Sequence, residues 1–294
     1  MESELAKLLL FTVGGLANAA YLFIVAAGLS LVFGALRVIN MAHGSLYMIA
    51  AFVTVVIANQ LGAGLGFWAG LLVAVAVTGA IGAVIEVLVL RRVYGREHLV
   101  QLLGTYAVSL VVAGAVRIVF GANYRTVASP IPGNIYVGTY SYADYSLFMI
   151  AAAIVIAAGV WAMLYRTNLG RNIRAAVSDP DLLNATGVNV TRLYTTVFVI
   201  GAALAGLGGS IVAPSQAIAS SIDTDVLVLA FAISVIGGLG SIVGSAVGSL
   251  IVGLVVSFGI LIPATSPYSL AFVFIIMAAV LIIRPRGLFG LPEN

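Results

Sequence analysis

Cysteine is absent from the 294 residues, which excludes disulfides, thiol chemistry and any cysteine-ligated metal site. Histidine is nearly absent too: His43 and His98 lie in different segments and are too few for a structural zinc centre. Lysine is represented by Lys7 alone, outside the Gly-x-x-x-x-Gly-Lys-Ser/Thr context that a phosphate-binding loop requires, so the chain is not a P-loop ATPase. Charge of either sign is scarce. Asp, Glu, Lys and Arg make up 8% of positions against 62% apolar, a balance that a water-soluble domain of this length could not hide in one core. No basic stripe interleaved with aromatics is present, so nucleic acid is not an expected partner. No catalytic residue, cofactor or resident metal is expected.

What remains is a chain whose solvent is lipid. Every backbone amide and carbonyl must then be paired within the protein, which leaves helices or a closed barrel. The apolar runs choose helices: they cover about 8–36, 44–60, 66–90, 99–120, 145–164, 193–213, 225–240, 245–262 and 268–283, lengths that cross a core of roughly 30 Å without the alternation of barrel strands. The expected fold is all-α, a polytopic helical membrane protein with eight or nine transmembrane segments in a single domain over 1–294. The count depends on whether 225–240 crosses fully or re-enters. Met1 to Lys7 carries Glu2 and Glu4 where a secretory signal would carry positive charge, so it reads as retained.

Arginine sets the orientation. Arg91, Arg92 and Arg96, then Arg166, Arg171, Arg174 and Arg192, then Arg284 and Arg286 fill three breaks, and the positive-inside rule puts all of them in the cytoplasm. Nine crossings satisfy that arrangement, with Arg37 inside and the N-terminus outside. The segment 121–144, rich in Pro, Gly and Tyr, becomes an external loop, as does 214–224, while 165–192 becomes a cytoplasmic loop.

Three segments stand out from the apolar background. Arg37 to Ser45 (Arg-Val-Ile-Asn-Met-Ala-His-Gly-Ser) interrupts two apolar runs with Asn40, His43 and Ser45. It reads either as an interfacial turn wetted by headgroup water or as a broken helix at membrane depth, where transporters place a substrate path. In 170–189, Asp179 suits an N-cap, Pro180 the first helical position, Asp181 the positive helix end and Gly187 the left-handed position after it. That pattern predicts a short, rigid, exposed helix for a partner to grip. The stretch Val235 to Gly244 is glycine-rich and predicts close helix packing or a helix that can shift. A weak echo between 34–46 and 238–250 raises the further expectation of two related halves.

Together these segments resemble the signatures of the LivH type of ABC-importer permease, the branched-chain amino-acid family. The resemblance runs from Gly28-Leu29-Ser30-Leu31-Val32-Phe33-Gly34 to Arg284-Pro285-Arg286-Gly287-Leu288-Phe289-Gly290. It implies a permease subunit in the cytoplasmic (inner) membrane, moving branched-chain or related amino acids. The implied partners are a second permease in a heterodimer, two cytoplasmic ATPase subunits and an extracytoplasmic solute-binding protein. By the same analogy the loop containing Arg171, Arg174, Asp179, Pro180, Asp181, Ala185 and Gly187 docks on an ATPase. Urea permeases of the same superfamily share a similar Asn-Met-Ala-His-Gly stretch but typically continue with Glu, where this chain has Ser45.

Independently of any resemblance, ion-coupled secondary carriers place ionisable groups deep in the bilayer to bind the coupling ion. Glu86 stands inside an apolar run about one turn from Arg91 and Arg92, so snorkelling to the interface is its expected fate. The lining of any path then falls to Asn18, Asn40, His43, Ser45, Gln101, Thr105, Tyr106, Ser109 and Gln216, each of which equally serves as helix-packing glue. A mildly polar conduit of this kind fits a subunit powered from outside. The alternatives are a urea or short-amide permease and an ion-coupled carrier.

Overall fold

In the computed structural model, residues 2–137, 140–261 and 266–290 are described; Gly138 and Thr139 of the expected external loop, residues 262–265 and the extreme chain ends lie outside them. The chain folds as helices α1 (Glu2–Leu36), α2 (His43–Leu61), α3 (Ala63–Ile85), α4 (His98–Phe120), α5 (Asp144–Arg166), α6 (Asn168–Ser178), α7 (Pro180–Ala185), α8 (Val190–Val212), α9 (Ile222–Gly237), α10 (Ile242–Leu261) and α11 (Ser269–Ile283). Among the described residues, eight helices are long and apolar enough to cross a membrane. A two-stranded antiparallel hairpin, β1 (Asn134–Val137) and β2 (Tyr140–Ala143), precedes α5. The all-α polytopic reading is thus observed, and the uncertain ninth segment turns out to be α9. At 16 residues it is about 24 Å long, short of a core of roughly 30 Å.

Small residues fix the contacts, as expected where lipid removes the hydrophobic drive for helices to associate. α1 and α10 run antiparallel: Gly15 faces Gly253, Ser30 Oγ lies 2.7 Å from Ser245 Oγ, and Gly34 meets Gly240. α8 packs antiparallel to α1 through Gly28 and Gly201, and antiparallel to α3, with Gly206 on Thr78 and Gly82 on Ala202. The most buried helices, α1, α2 and α8, form the centre; α4, α5 and α11 leave most of their apolar length uncovered. By these pairings Arg37, Arg91, Arg92, Arg96, Arg166, Arg171, Arg174, Arg192, Arg284 and Arg286 share one end of the bundle, while Arg117 and Arg125 lie toward the other.

The same contacts give depth. Thr78 lies halfway along the 30-residue span Gly64–Val93, and Gly206 packs on it. Gly208 and Gly209, on the next stretch of α8, pack on Val25 and Tyr47. Val25, Tyr47 and the first turn of α2 therefore sit near mid-bundle, a turn or less from Thr78 in depth. α1 continues past this level to Leu36 at the arginine-rich end, Arg37 turns the chain with a positive φ of 54°, and residues 38–42 climb back to start α2. The echo between 34–46 and 238–250 is not a shared backbone path: Gly34 closes a helix, whereas Gly238 occupies a turn with φ of 104°.

Glu86 departs from its expected position. It does not reach for water; it is fully buried where α3 widens into a π-helical stretch, Glu86–Leu90, before a last turn Arg91–Val93. Its carboxylate pairs with Arg91 at 3.1 Å and accepts from the Thr195 hydroxyl at 2.8 Å and the Tyr94 hydroxyl at 3.3 Å, so α3 is pinned to α8. Burial, reinforced by the Glu86 charge, pushes the Tyr94 phenol well above its usual range and keeps it a donor. Arg91 is partly exposed and can turn to water, whereas Glu86 cannot. Arg91→Ala is therefore expected to cost more than Glu86→Leu, about 3 kcal/mol or more against the smaller loss, read as the drop in thermal midpoint of the purified protein in detergent.

Candidate functional site

Among the described residues, two interruptions of regular helix occur at membrane depth, and they meet. The first is 37–42. Its exposed backbone groups are taken up locally: the Ala42 N–H donates to Asn40 Oδ1 at 3.1 Å, the Met41 N–H to Thr105 Oγ1 at 3.2 Å, and the Ile39 carbonyl lies 3.2 Å from the same hydroxyl. The second is 213–221, between α8 and α9. Ile218 and Arg125 exchange backbone hydrogen bonds of 2.8 and 2.9 Å, anchoring it to the external segment. From there the chain descends until the Asp223 carbonyl rests on Gly44, a contact so close that a β-carbon at 44 would collide with it. Irregular backbone at this depth is tolerated only inside protein or beside water.

A cavity of 280 Å³ opens beside this junction, bounded by Tyr21 of α1, Tyr47 of α2, Tyr124, Gln216 and the first turns of α9. The Tyr47 side chain is fully buried, and its hydroxyl faces the Gln216 amide without a hydrogen bond of ordinary geometry. A larger, mostly apolar cavity of 530 Å³ lies toward the arginine-rich end between α1, α5, α6 and α10, with Ser30, Trp161, Arg174 and Ser241 in its wall. α1 borders both cavities, presenting Tyr21 to one and Phe23, Ser30 and Gly34 to the other.

The polar residues singled out in the sequence divide into three groups. Asn40, His43, Ser45, Gln101, Thr105 and Ser109 are buried around the first break. His43 Nε2 lies 2.9 Å from the Val25 carbonyl and its Nδ1 is unpartnered; Ser45 donates to the Ser109 carbonyl at 3.5 Å; Gln101 donates to the Arg96 carbonyl at 3.0 Å. His43 and Ser45 tie the start of α2 to α1 and α4, whereas Gln101 bonds the segment just before its own helix. Gln216 lines the 280 Å³ cavity. Asn18 is half-buried on α1 and Tyr106 is exposed on α4, neither lining a cavity. Tyr21, Tyr47, Tyr124 and Asp225 are cavity residues that the sequence reading passed over. A carboxylate in the middle of a membrane protein was the available signal, hidden because it stands at the edge of an apolar run.

The loop 165–192 forms two helices rather than one. α6 begins on Thr167, whose hydroxyl accepts from the Gly170 N–H at 3.2 Å. α7 is capped as its residues predict: Asp179 Oδ1 accepts from the Leu182 N–H at 2.9 Å, Pro180 opens the helix, and Gly187 follows it with φ of 91°. Arg174 bonds the Leu164 carbonyl and covers the Tyr165 ring at 5.2 Å, so α6 is held against the end of α5, while Arg171 bonds Asn168 within α6. Asp181, Leu182, Ala185 and Gly187 are exposed.

With this geometry in view, a profile described as "Branched-chain amino acid transport system / permease component" matches residues 11–281. The high-affinity branched-chain amino acid transport system permease protein BraD of Pseudomonas aeruginosa is 28% identical over 96% of this chain and 95% of its own length. The LivH permease protein of Escherichia coli is 28% identical over 92% of this chain and 91% of its own. The fructose import permease protein FrcC of Rhizobium meliloti is 30% identical, but over only 44% of this chain and 38% of its own.

The break at 37–42 depends on two side chains that replace missing helix bonds. Asn40→Ala and Thr105→Val each strand a buried backbone N–H, with an expected loss of about 1–3 kcal/mol each. Because both act on one turn, their combined loss should fall short of the sum. Thermal unfolding of the single and double variants checks this.

Proposed function

The chain belongs to the branched-chain amino acid permease family, and on that premise we propose that it is one transmembrane half of an ATP-driven importer for branched-chain or related aliphatic amino acids in the cytoplasmic membrane. The amino-acid permeases resemble this chain over more than nine-tenths of its length, whereas the likeness to the fructose permease stops at 44%; that contrast carries the choice of solute class. The arginine-rich end faces the cytoplasm by the positive-inside rule, which leaves 121–144 and the 280 Å³ cavity toward the outside. A second permease covers the apolar faces left open on this chain, an external binding protein delivers solute, and two ATPase subunits supply the work.

The chain itself performs no covalent step. α6 and α7 form the cytoplasmic contact for an ATPase, with Arg171, Arg174, Asp179, Pro180, Asp181, Ala185 and Gly187 at or beside that surface. α6 supplies Ile173, Arg174, Val177 and Ser178 to the wall of the larger cavity. A displacement of α6 by the ATPase therefore reshapes that cavity, and α1 carries the change toward the smaller one. Asn40, His43, Ser45, Gln101 and Thr105 hold the broken helix that this motion acts on, Gln216 meets the solute, and Asn18 and Tyr106 stand nearer the path's edges.

The capped α7 is the natural place to break the coupling. Asp179→Ala with Gly187→Val removes both caps, each worth about 1 kcal/mol, on a helix too short to persist without them. In proteoliposomes containing the whole transporter, the double variant is expected to keep ATP hydrolysis while losing most solute uptake. Uptake that stays proportional to hydrolysis would count against the coupling role.

A further inference from the structure

The first turn of α9 carries two carboxylates, Asp223 and Asp225, at a depth where neither belongs in lipid. Asp223 rests on Gly44, and α2 at this level packs through Tyr47 on Gly209, three residues along α8 from the mid-span contact between Gly206 and Thr78. Asp225 is exposed on the surface of the chain and borders the 280 Å³ cavity. A charged side chain near the bilayer centre costs several kcal/mol unless it faces water or a partner of opposite charge. No ion pair to Asp225 exists among the described residues, the one salt bridge there being Arg91 with Glu86. Its place in the first turn of a helix, where the backbone dipole favours an anion, suits a carboxylate at this position.

The rest of the cavity wall indicates what comes to meet it. Beside Asp225 run the apolar side chains of Ile222, Val226 and Leu229, and across the space stand the buried, unpartnered hydroxyl of Tyr47 and the Gln216 amide. One fixed negative charge, an apolar strip and neutral donors within 280 Å³ suit one small molecule carrying a cationic group, an aliphatic body and an acceptor. We propose that Asp225 receives the α-ammonium group of a zwitterionic aliphatic amino acid at mid-membrane, with Val226 and Leu229 against its side chain and Tyr47 and Gln216 donating to its carboxylate. This rests on the importer reading above and deepens it: the path is not charge-neutral but holds one anionic station. A neutral amide such as urea brings only uncharged N–H donors to that station, without the cationic partner that an α-ammonium group supplies.

The test uses the complete transporter in proteoliposomes with radiolabelled leucine. Asp225→Asn is expected to lower uptake about tenfold or more, the effect of losing one charge-assisted contact. Subunit assembly and ATP hydrolysis stimulated by loaded binding protein should persist, and Asp225→Glu should restore much of the uptake. A thiol placed by Ser221→Cys in this cysteine-free chain should react with a water-soluble methanethiosulfonate added outside, more slowly when leucine-loaded binding protein is present. Unimpaired uptake by Asp225→Asn beside an active wild type would overturn this assignment alone. Loss of assembly in Asp225→Asn would make the residue a subunit contact and overturn it too. A wild-type complex that moves no aliphatic amino acid would overturn the functional reading, and this assignment with it.

Discussion

In a bilayer each backbone N–H or C=O left without a partner costs several kcal/mol, and this constraint governs the molecule. Eight helices meet it by being continuous. The two segments that break the rule, 37–42 and 213–221, meet it by leaning on other parts of the protein: Asn40 and Thr105 for the first, Arg125 for the second. Because Gly44 admits the Asp223 carbonyl against its backbone, the two breaks share one location instead of making two separate weak points. The polar cavity beside Tyr47 is a consequence of that shared location. A continuous bundle of nine helices would have had no reason to bring water-loving groups to this depth.

Around the breaks, rigidity is supplied by small residues and by one ion pair. Glycine contacts hold α8 and α10 against α1, while the Glu86–Arg91–Thr195–Tyr94 cluster ties the arginine-rich ends of α3 and α8 together. The segments with fewer buried contacts, α4, α5 and α11, lie outside the centre of the bundle. α6 is held to the end of α5 and shares a cavity wall with α1 and α10.

Much of this was legible in the residues. Long apolar runs and scarce charge gave the helical membrane fold, and the Asp179-Pro180 and Gly187 signals gave α7 with its caps, because both rest on local rules. Less local features were not legible. The length of α9 depends on where 213–221 descends, which is set by pairing with Arg125 nearly a hundred positions away. Glu86 looked free to snorkel because its partner Thr195 lies on another helix. Asp225 escaped notice because one-dimensional hydropathy places it at the end of a run, whereas packing places it in the middle of the membrane. Asn40 and Thr105 read equally as path lining or as helix-packing glue, and their side chains bond the backbone of the break; sequence shows which groups are polar, not which are already satisfied.

The polar-lined cavity at the junction of the two breaks calls for water in the middle of this protein. Amide hydrogen exchange, followed by mass spectrometry on the assembled transporter in lipid nanodiscs, tests it most directly. Amides of 215–221 should exchange readily, while those of α8 and α10 at equal depth remain protected. Uniform protection across 215–221, matching its helical neighbours, would mean that the junction is dry and would contradict the account.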